Sequence, residues 1–409
     1  MSNWVAVLDI GSTKVACVIA ERSGTVSPRP LGIGAVKCEG ALSGFINDRE
    51  LIAHAIKQAV STAEQMAGLK AERLVVGAYG PLVTGLSSMG VVPIYPRTRA
   101  VTREDVLQVV NHSRQLSLTD GRELLQAIPR EFRVDGQTKI QKPIGMVGGR
   151  LEVTTYLVTA DSEQLQGIEE CVKEAGYEID QMVLGSMASG LSVLTNQEMD
   201  EGVAVVDIGD SGTELAIFQN RAISYSSSIP IGGALVTSDL SKLLKTSLEE
   251  ANRLKTEFGA AWSKSISEQE TISVVQLGQI QARPMQRRVL CEIIESRMRE
   301  LALFVRKEIE ESGFSRSLSA GIALTGGGSR LIGSETVFEE QMKHLKVRQG
   351  RPKSVGPMAQ QADRPELAMA VGMARFALDA NQDELAPATG SGDWKERIRT
   401  LWSLVGGRH

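Results

Sequence analysis

The alternation of apolar and polar positions contains one pattern that occurs twice. Residues 5–16 read VAVLDIGSTKVA: apolar residues run into Asp9, a short polar turn follows, and apolar residues resume. Residues 203–218 repeat the arrangement as VAVVDIGDSGTELAIF. Each stretch predicts a buried strand, a tight turn and a second strand, a hairpin rather than a strand feeding a helix. Return of the pattern after about 200 residues predicts two similar halves. Two polar turns facing each other can hold a phosphate chain, with backbone amides on the oxygens and the aspartates on a cation.

Elsewhere the periodicity alternates between strand and helix. Residues 29–37 predict a strand. Residues 51–67 carry apolar side chains at helical spacing, and Gly68 stops them. Residues 74–78 predict a further strand. Residues 84–161 break this rhythm, with a helix near 103–116, strand-like runs at 123–134 and 150–159, and a Gly-, Lys- and Gln-rich stretch between the runs. They predict a compact α+β insertion without a catalytic constellation, hence a binding or assembly surface. A helix at 162–175, a strand at 179–183, a small-residue helix from Gly185 and an acidic loop at 198–201 lead to the second hairpin. Helices follow at 234–244 and 248–258, then a polar irregular stretch to 284 and a long helix at 287–311. A buried strand at 320–325 runs into Gly326-Gly327-Gly328-Ser329, and a small-residue helix is predicted at 366–377. Residues 379–392 have linker composition.

Bulk composition narrows the class. With 409 residues and 42% hydrophobic content the chain can build two or more cores, and 4% aromatics makes those cores aliphatic. A net charge of −4 gives no sign of nucleic-acid binding. Cys17, Cys38, Cys171 and Cys291 are scattered without a CxxC pair, which predicts buried free thiols in a reducing compartment. A strand begins within a few residues of Met1, so no signal peptide is expected. No apolar run approaches the roughly 20 residues that span a bilayer, so a soluble, cytoplasmic body is expected.

The turns carry the candidate chemistry. Gly11, Ser12 and Thr13 offer amides and hydroxyls, Lys14 offers a charge to a β- or γ-phosphate, and Asp9 can hold Mg²⁺ directly or through water. In the second turn Asp207 matches Asp9, Gly209 and Gly212 permit close approach, and Thr213 offers a hydroxyl. Gly326, Gly327, Gly328 and Ser329 form a third element, whose bare backbone can lie against a ribose or purine.

These residues together resemble the actin, Hsp70 and sugar-kinase superfamily. Closer matching of SGFINDREL, SSMGVVPI, LLQAIPREFRVDGQ, KPIGMVGGRLEV, IPIGGALVTSDL, ARPMQRRVLCEIIESRMREL and GIALTGGGSRLIG identifies the chain as similar to the FtsA family of bacterial cell-division proteins, nearly end to end. The resemblance implies an actin-like two-lobed α/β fold with duplicated ribonuclease-H-like domains, an α+β 1C insertion and a C-terminal amphipathic helix. Subdomain 1A would comprise 1–83 and 162–197, 1C 84–161, 2A 198–236 and 312–378, and 2B 237–311. A linker at 379–392 and a membrane-targeting helix at 393–409 would follow. ATP with Mg²⁺ would bind between the halves, with Lys255 on the adenosine side. The protein would polymerise, bind the FtsZ C-terminal tail through 2B with Arg297 and Glu300, and recruit other division proteins through 1C.

Three positions depart from the implied pattern. The family's second turn reads DIGGGTTD, whereas Asp210 here puts a carboxylate where a glycine would approach phosphate. Relatives often carry Glu-x-x-Lys on the adenosine-side helix, where this chain keeps Lys255 but has Asn252 for the acid, and Gly185 stands where many Hsp70-like relatives carry glutamate. No residue is assigned a catalytic role, so nucleotide binding with at most slow hydrolysis is expected.

The C-terminal segment predicts a membrane contact. On a helix Trp394, Ile398, Leu401, Trp402 and Val405 fall within an arc of about 100°, flanked by Lys395, Arg397 and Arg399. Such a face enters the headgroup boundary of an anionic membrane weakly, and polymerisation strengthens it by avidity. The implied location is the cytoplasmic face of the cell membrane at the division site. A sugar kinase of the same fold would need an aspartate base and a closed sugar pocket. An Hsp70-type chaperone would need about 200 further residues for its substrate domain. A pilus-assembly relative would share the turns without this tail.

Overall fold

The computed structural model describes residues 3–380, apart from 25–26, 39, 43–44, 116–117 and 280. The predicted first hairpin is β1 (Trp4–Ile10) and β2 (Lys14–Glu21), and β3 (Arg29–Lys37) continues the meander. A short ribbon, β4 (Ala41–Leu42) and β5 (Phe45–Ile46), leads into α1 (Arg49–Ala67). Asp48 caps α1 by accepting from the Leu51 amide, and Gly68 ends it in the left-handed region. β6 (Arg73–Ala78) then runs parallel to β1.

The insertion follows as β7 (Val83–Pro93), α2 (Arg103–Ser113), β8 (Arg122–Val134), β9 (Gln137–Ile140) and β10 (Arg150–Asp161), in the sheet order β7-β10-β8-β9. The chain returns through α3 (Ser162–Glu174), β11 (Glu178–Leu184), α4 (Gly185–Val193) and α5 (Asn196–Glu201). Here α5 replaces the expected acidic loop. Thr195 accepts from the Glu198 amide while the Glu198 carboxylate accepts from the Thr195 amide, a capping box that starts the helix.

The second half comprises β12 (Val203–Ile208), β13 (Thr213–Gln219), β14 (Ala222–Ile229), α6 (Gly233–Leu244), α7 (Leu248–Phe258), a ribbon of β15 (Thr271–Val274) and β16 (Arg283–Gln286), and α8 (Arg287–Glu311). It closes with β17 (Ile322–Thr325), α9 (Ser334–Met342), β18 (Val347–Gln349), α10 (Ala359–Ala362) and α11 (Ala368–Ala380). The two main sheets share one plan. The first runs β3-β2-β1-β6-β11 and the second β14-β13-β12-β17-β18, each an antiparallel meander followed by two parallel strands. The repeated hairpin is therefore the nucleus of a duplicated domain.

The lobes are joined by α4 and α11. Ala368, Ala370, Met373, Ala374 and Phe376 of α11 lie in the core of the first sheet, together with Met187, Ala188 and Leu191 of α4. Val205 and Phe218 of the second sheet reach into the same core. This differs from the expected grouping of 312–378 with the second half: apolar residues on most sides of α11 let it fill the space between lobes. The insertion also touches both lobes. It branches from the first sheet, yet Arg130 of β8 donates to Ser224 Oγ (2.7 Å) and the Tyr156 hydroxyl of β10 bonds Ser226 Oγ (2.9 Å), both on β14. All four cysteines are buried and unpaired. Trp394, Lys395, Arg397, Ile398, Arg399, Leu401, Trp402 and Val405 lie outside the described residues.

Candidate functional site

The two hairpin turns have the same construction. Gly11 N–H donates to the Lys14 carbonyl (2.8 Å), and Gly209 N–H donates to the Gly212 carbonyl (2.9 Å). Both turns point into one cleft, where Ser12 Oγ and Ser211 Oγ lie 2.6 Å apart. The cleft encloses a cavity of about 600 Å³, within the range of small-ligand sites. Its lining includes Asp9, Gly11, Ser12, Thr13, Lys14, Asp207, Gly209, Gly212, Lys255, Gly326, Gly327 and Gly328, all of them expected from the sequence.

Two expected residues turn away. Thr213 is fully buried and its hydroxyl donates to the Ile231 carbonyl (2.7 Å). Ser329 is buried, with its hydroxyl on the Gly326 carbonyl (2.8 Å). Strand alternation explains Thr213. It pairs with Ile208, whereas Glu214 pairs with Asp207, so Glu214 shares the Asp207 face. Glu214 is among the cleft residues that the sequence reading missed. Its Oε1 accepts from the Gly80 amide (3.2 Å) and from Ser228 Oγ (2.7 Å).

The site is crowded with desolvated charge. Burial pushes the Asp9 carboxyl up to about 6, against the pull of Lys14, and Asp207 adds to the rise. Burial likewise raises Asp207, although Ser189 donates to its carboxylate, and pushes Glu214 up to about 7. Lys14 is lowered by burial, and its ammonium donates to the Glu366 carbonyl. Paired carboxylates held out of water fit a hard divalent cation. Among the described residues no group of three acidic, His or Cys side chains converges as a complete cage. Two neighbouring carboxylates are also the number that Mg²⁺ takes from a protein, its other ligands coming from phosphate and water.

Gly326 has φ of 81°, and a Cβ there would strike the Asp207 carboxylate and the Ile208 backbone. Glycine lets the third element cross the end of β12. Away from the turns the cavity is bounded by Asn252, Thr256, Gly259, Arg287, Leu331 and Ile332. Lys255 points from α7 toward the second turn, donating to the Gly233 carbonyl (3.0 Å) and Thr237 Oγ1 (2.8 Å).

The second expected site lies on α8. Arg297 and Glu300 pair with each other, but the Arg297 guanidinium also grips Asp239 of α6 at 2.7 and 3.0 Å. Asp239 was not foreseen, because the pairing joins residues far apart in sequence. No helix among the described residues is long and apolar enough to cross a membrane.

Comparison with known proteins places these features. The family model "Cell division protein FtsA" matches residues 204–372, and the "SHS2 domain inserted in FTSA" matches residues 80–159. The cell division protein FtsA of Neisseria meningitidis is 33% identical over 390 residues, covering 95% of this chain and 94% of that protein. Among solved structures, a PilM–PilN type IV pilus biogenesis complex aligns with TM-score 0.64 and 18% identity, covering 90% of this chain and 97% of that one. MreB 5 of Spiroplasma citri bound to AMPPNP aligns with TM-score 0.53 and 14% identity, covering 91% and 95%. The fold is actin-like, with an SHS2 insertion.

Proposed function

This chain belongs to the FtsA family of cell-division proteins, and from that premise we propose that it binds ATP with Mg²⁺ between its lobes, polymerises, and tethers FtsZ filaments to the inner face of the cytoplasmic membrane. The observation that carries the nucleotide part is the meeting of two equivalent turns, with Ser12 and Ser211 in contact in a cleft that Asp9 and Asp207 also line. The MreB 5 structure of similar fold, described as bound to AMPPNP, supports the same reading. Asp9 and Asp207 would hold the cation, and the turns with Lys14 would hold the phosphates. Hydrolysis is at most slow. The insertion, as 1C, helps to recruit later division proteins.

The membrane part rests on the terminal amphipathic segment. Full-length protein with ATP should sediment with anionic vesicles, and a chain ended at Asp379 should remain in the supernatant. Sedimentation of the shortened chain would overturn the assignment. The partner part rests on α8. Arg297→Glu should weaken an FtsZ tail peptide by about tenfold or more while ATP affinity stays within twofold, because Arg297 lies outside the cleft lining. Unchanged peptide binding would remove Arg297 from the tail site.

A further inference from the structure

The insertion is attached to the two lobes in different ways. Toward the first lobe it is welded. Leu125, Ile128, Val158 and Ala160 join the core of the first sheet, and buried Gln126 accepts from the Leu184 amide of β11 (2.8 Å). Along β14, the edge strand of the second sheet, it holds on by hydrogen bonds. Ser226 and Ser228 pair with Ala216 and Glu214, so both serines share the face of Glu214. Ser228 donates to Glu214 Oε1 (2.7 Å), which also accepts from the Gly80 amide (3.2 Å) at the turn where the chain enters β7. Ser226 bonds the Tyr156 hydroxyl of β10 (2.9 Å). Ser224 has no ladder partner at a β-bulge, and its hydroxyl accepts from Arg130 of β8 (2.7 Å). Gln141 Nε2, beyond β9, donates to the Asn220 carbonyl (3.3 Å). One seam therefore runs along β14 from the cleft residue Glu214 to the far end of the strand.

The seam is shaped for this contact. A Cβ on Gly85 of β7 would lie 1.9 Å from the Tyr156 hydroxyl oxygen and 2.1 Å from Cζ, so the bare glycine leaves room for the phenol to reach Ser226. The Arg130 guanidinium also stands 5.9 Å from the centre of the Phe314 ring, which belongs to the second half. We propose that the seam is a latch: the insertion, fixed to the first lobe, closes on β14 and holds the cleft shut, so that displacement of the insertion and opening of the cleft are one motion. Each such bond contributes little net free energy, so the latch can part while the apolar α4–α11 joint stays intact. Linkage makes the effect reciprocal. A group that draws the insertion off β14 loosens the cleft, and a ligand that closes the cleft sets the position of the insertion. The latch does not depend on which ligand the cleft takes.

The test is amide hydrogen exchange of the full-length chain without nucleotide, comparing wild type with Tyr156→Phe, Ser226→Ala and the double variant. Tyr156→Phe keeps the ring beside Gly85 and removes only the hydroxyl. Ser226→Ala reaches the same bond from the half-buried edge strand, so it carries the test if the Tyr156 variant folds poorly. The Gly80 amide reports on the cleft, because its acceptor belongs to the other lobe. Exchange at Gly80 and at residues 224–228 should be about fivefold faster in either single variant, and no faster in the double variant, since both remove one shared bond. Amides of β1 and α11 should keep their wild-type rates. Faster exchange at 224–228 with Gly80 unchanged overturns the proposal, because the contact is then local. Equal acceleration in β1 and α11 also overturns it, as general loosening, and so does wild-type exchange throughout.

Discussion

Replacing Gly372 with alanine should lower folding stability by about 3 kcal/mol, measured by urea unfolding of the nucleotide-free chain. Two effects of opposite sign act at this position. Alanine is the better helix former by about 1 kcal/mol, so propensity alone predicts stabilisation. Packing predicts the reverse. Gly372 lies on α11 where that helix crosses α4, and a Cβ there would land on the carbonyl oxygen and carbonyl carbon of Ala188. The obstacle is backbone rather than a side chain able to turn aside, so relief requires the two helices to separate. That separation would loosen Met187, Leu191, Met373 and Phe376, which share one core. Overpacking of this kind costs more than the propensity gain. Because the same helix pair joins the lobes, the variant should also bind nucleotide more weakly. A variant as stable as the wild type would show that this crossing is soft.

The sequence disclosed most where local pattern and tertiary role agree. The strand at Arg29–Lys37, the helix Leu248–Phe258 and the long helix Arg287–Glu311 appear with the bounds expected of them, because their periodicity is uninterrupted and their ends carry turn residues or glycine. It disclosed least where a partner supplies the order. β7 runs TGLSSMG through its middle, with few apolar side chains, and is a strand because it pairs with β10 from Val83–Ala160 to Pro93–Arg150. The short helix α5 was legible, since Thr195 and Glu198 have capping-box spacing, but its acidic composition reads as loop. The site divides the same way. Residue type led to the glycines and aspartates, while facing direction decided between Thr213 and Glu214. Once Asp207 is taken to face the cleft, hairpin register requires Glu214 to face it too. Asp239 beside Arg297 had no local signal at all.

Glu214 gives the second large effect, and its sign follows from proton linkage. The carboxyl titrates near 4.5 in an unfolded chain and is pushed up to about 7 in the cleft, chiefly by burial, with Asp207 adding to the rise. Between those values the folded chain holds a proton that the unfolded chain has lost. Stability attributable to this group is therefore complete below pH 4.5, declines as pH rises toward 7, and is flat above it. The full difference corresponds to on the order of 3 kcal/mol. One side of the carboxylate faces the cavity, where water can screen it, so about 2 kcal/mol is the expected effect. Glu214→Gln removes the titration and keeps an oxygen for the Gly80 amide and Ser228 hydroxyl. Without nucleotide, the variant should exceed the wild type by about 2 kcal/mol in urea unfolding at pH 8 and match it at pH 4.5. Asp9, raised to about 6, stays in both proteins, so a shallower decline with pH should persist in the variant. A variant weaker than the wild type at pH 8 would mean that Glu214 is ionised and stabilising in the empty cleft. The expected gain instead identifies the acidic wall as a cost of the nucleotide-free fold, one that a cation between Asp9 and Asp207 would relieve by favouring the charged carboxylates.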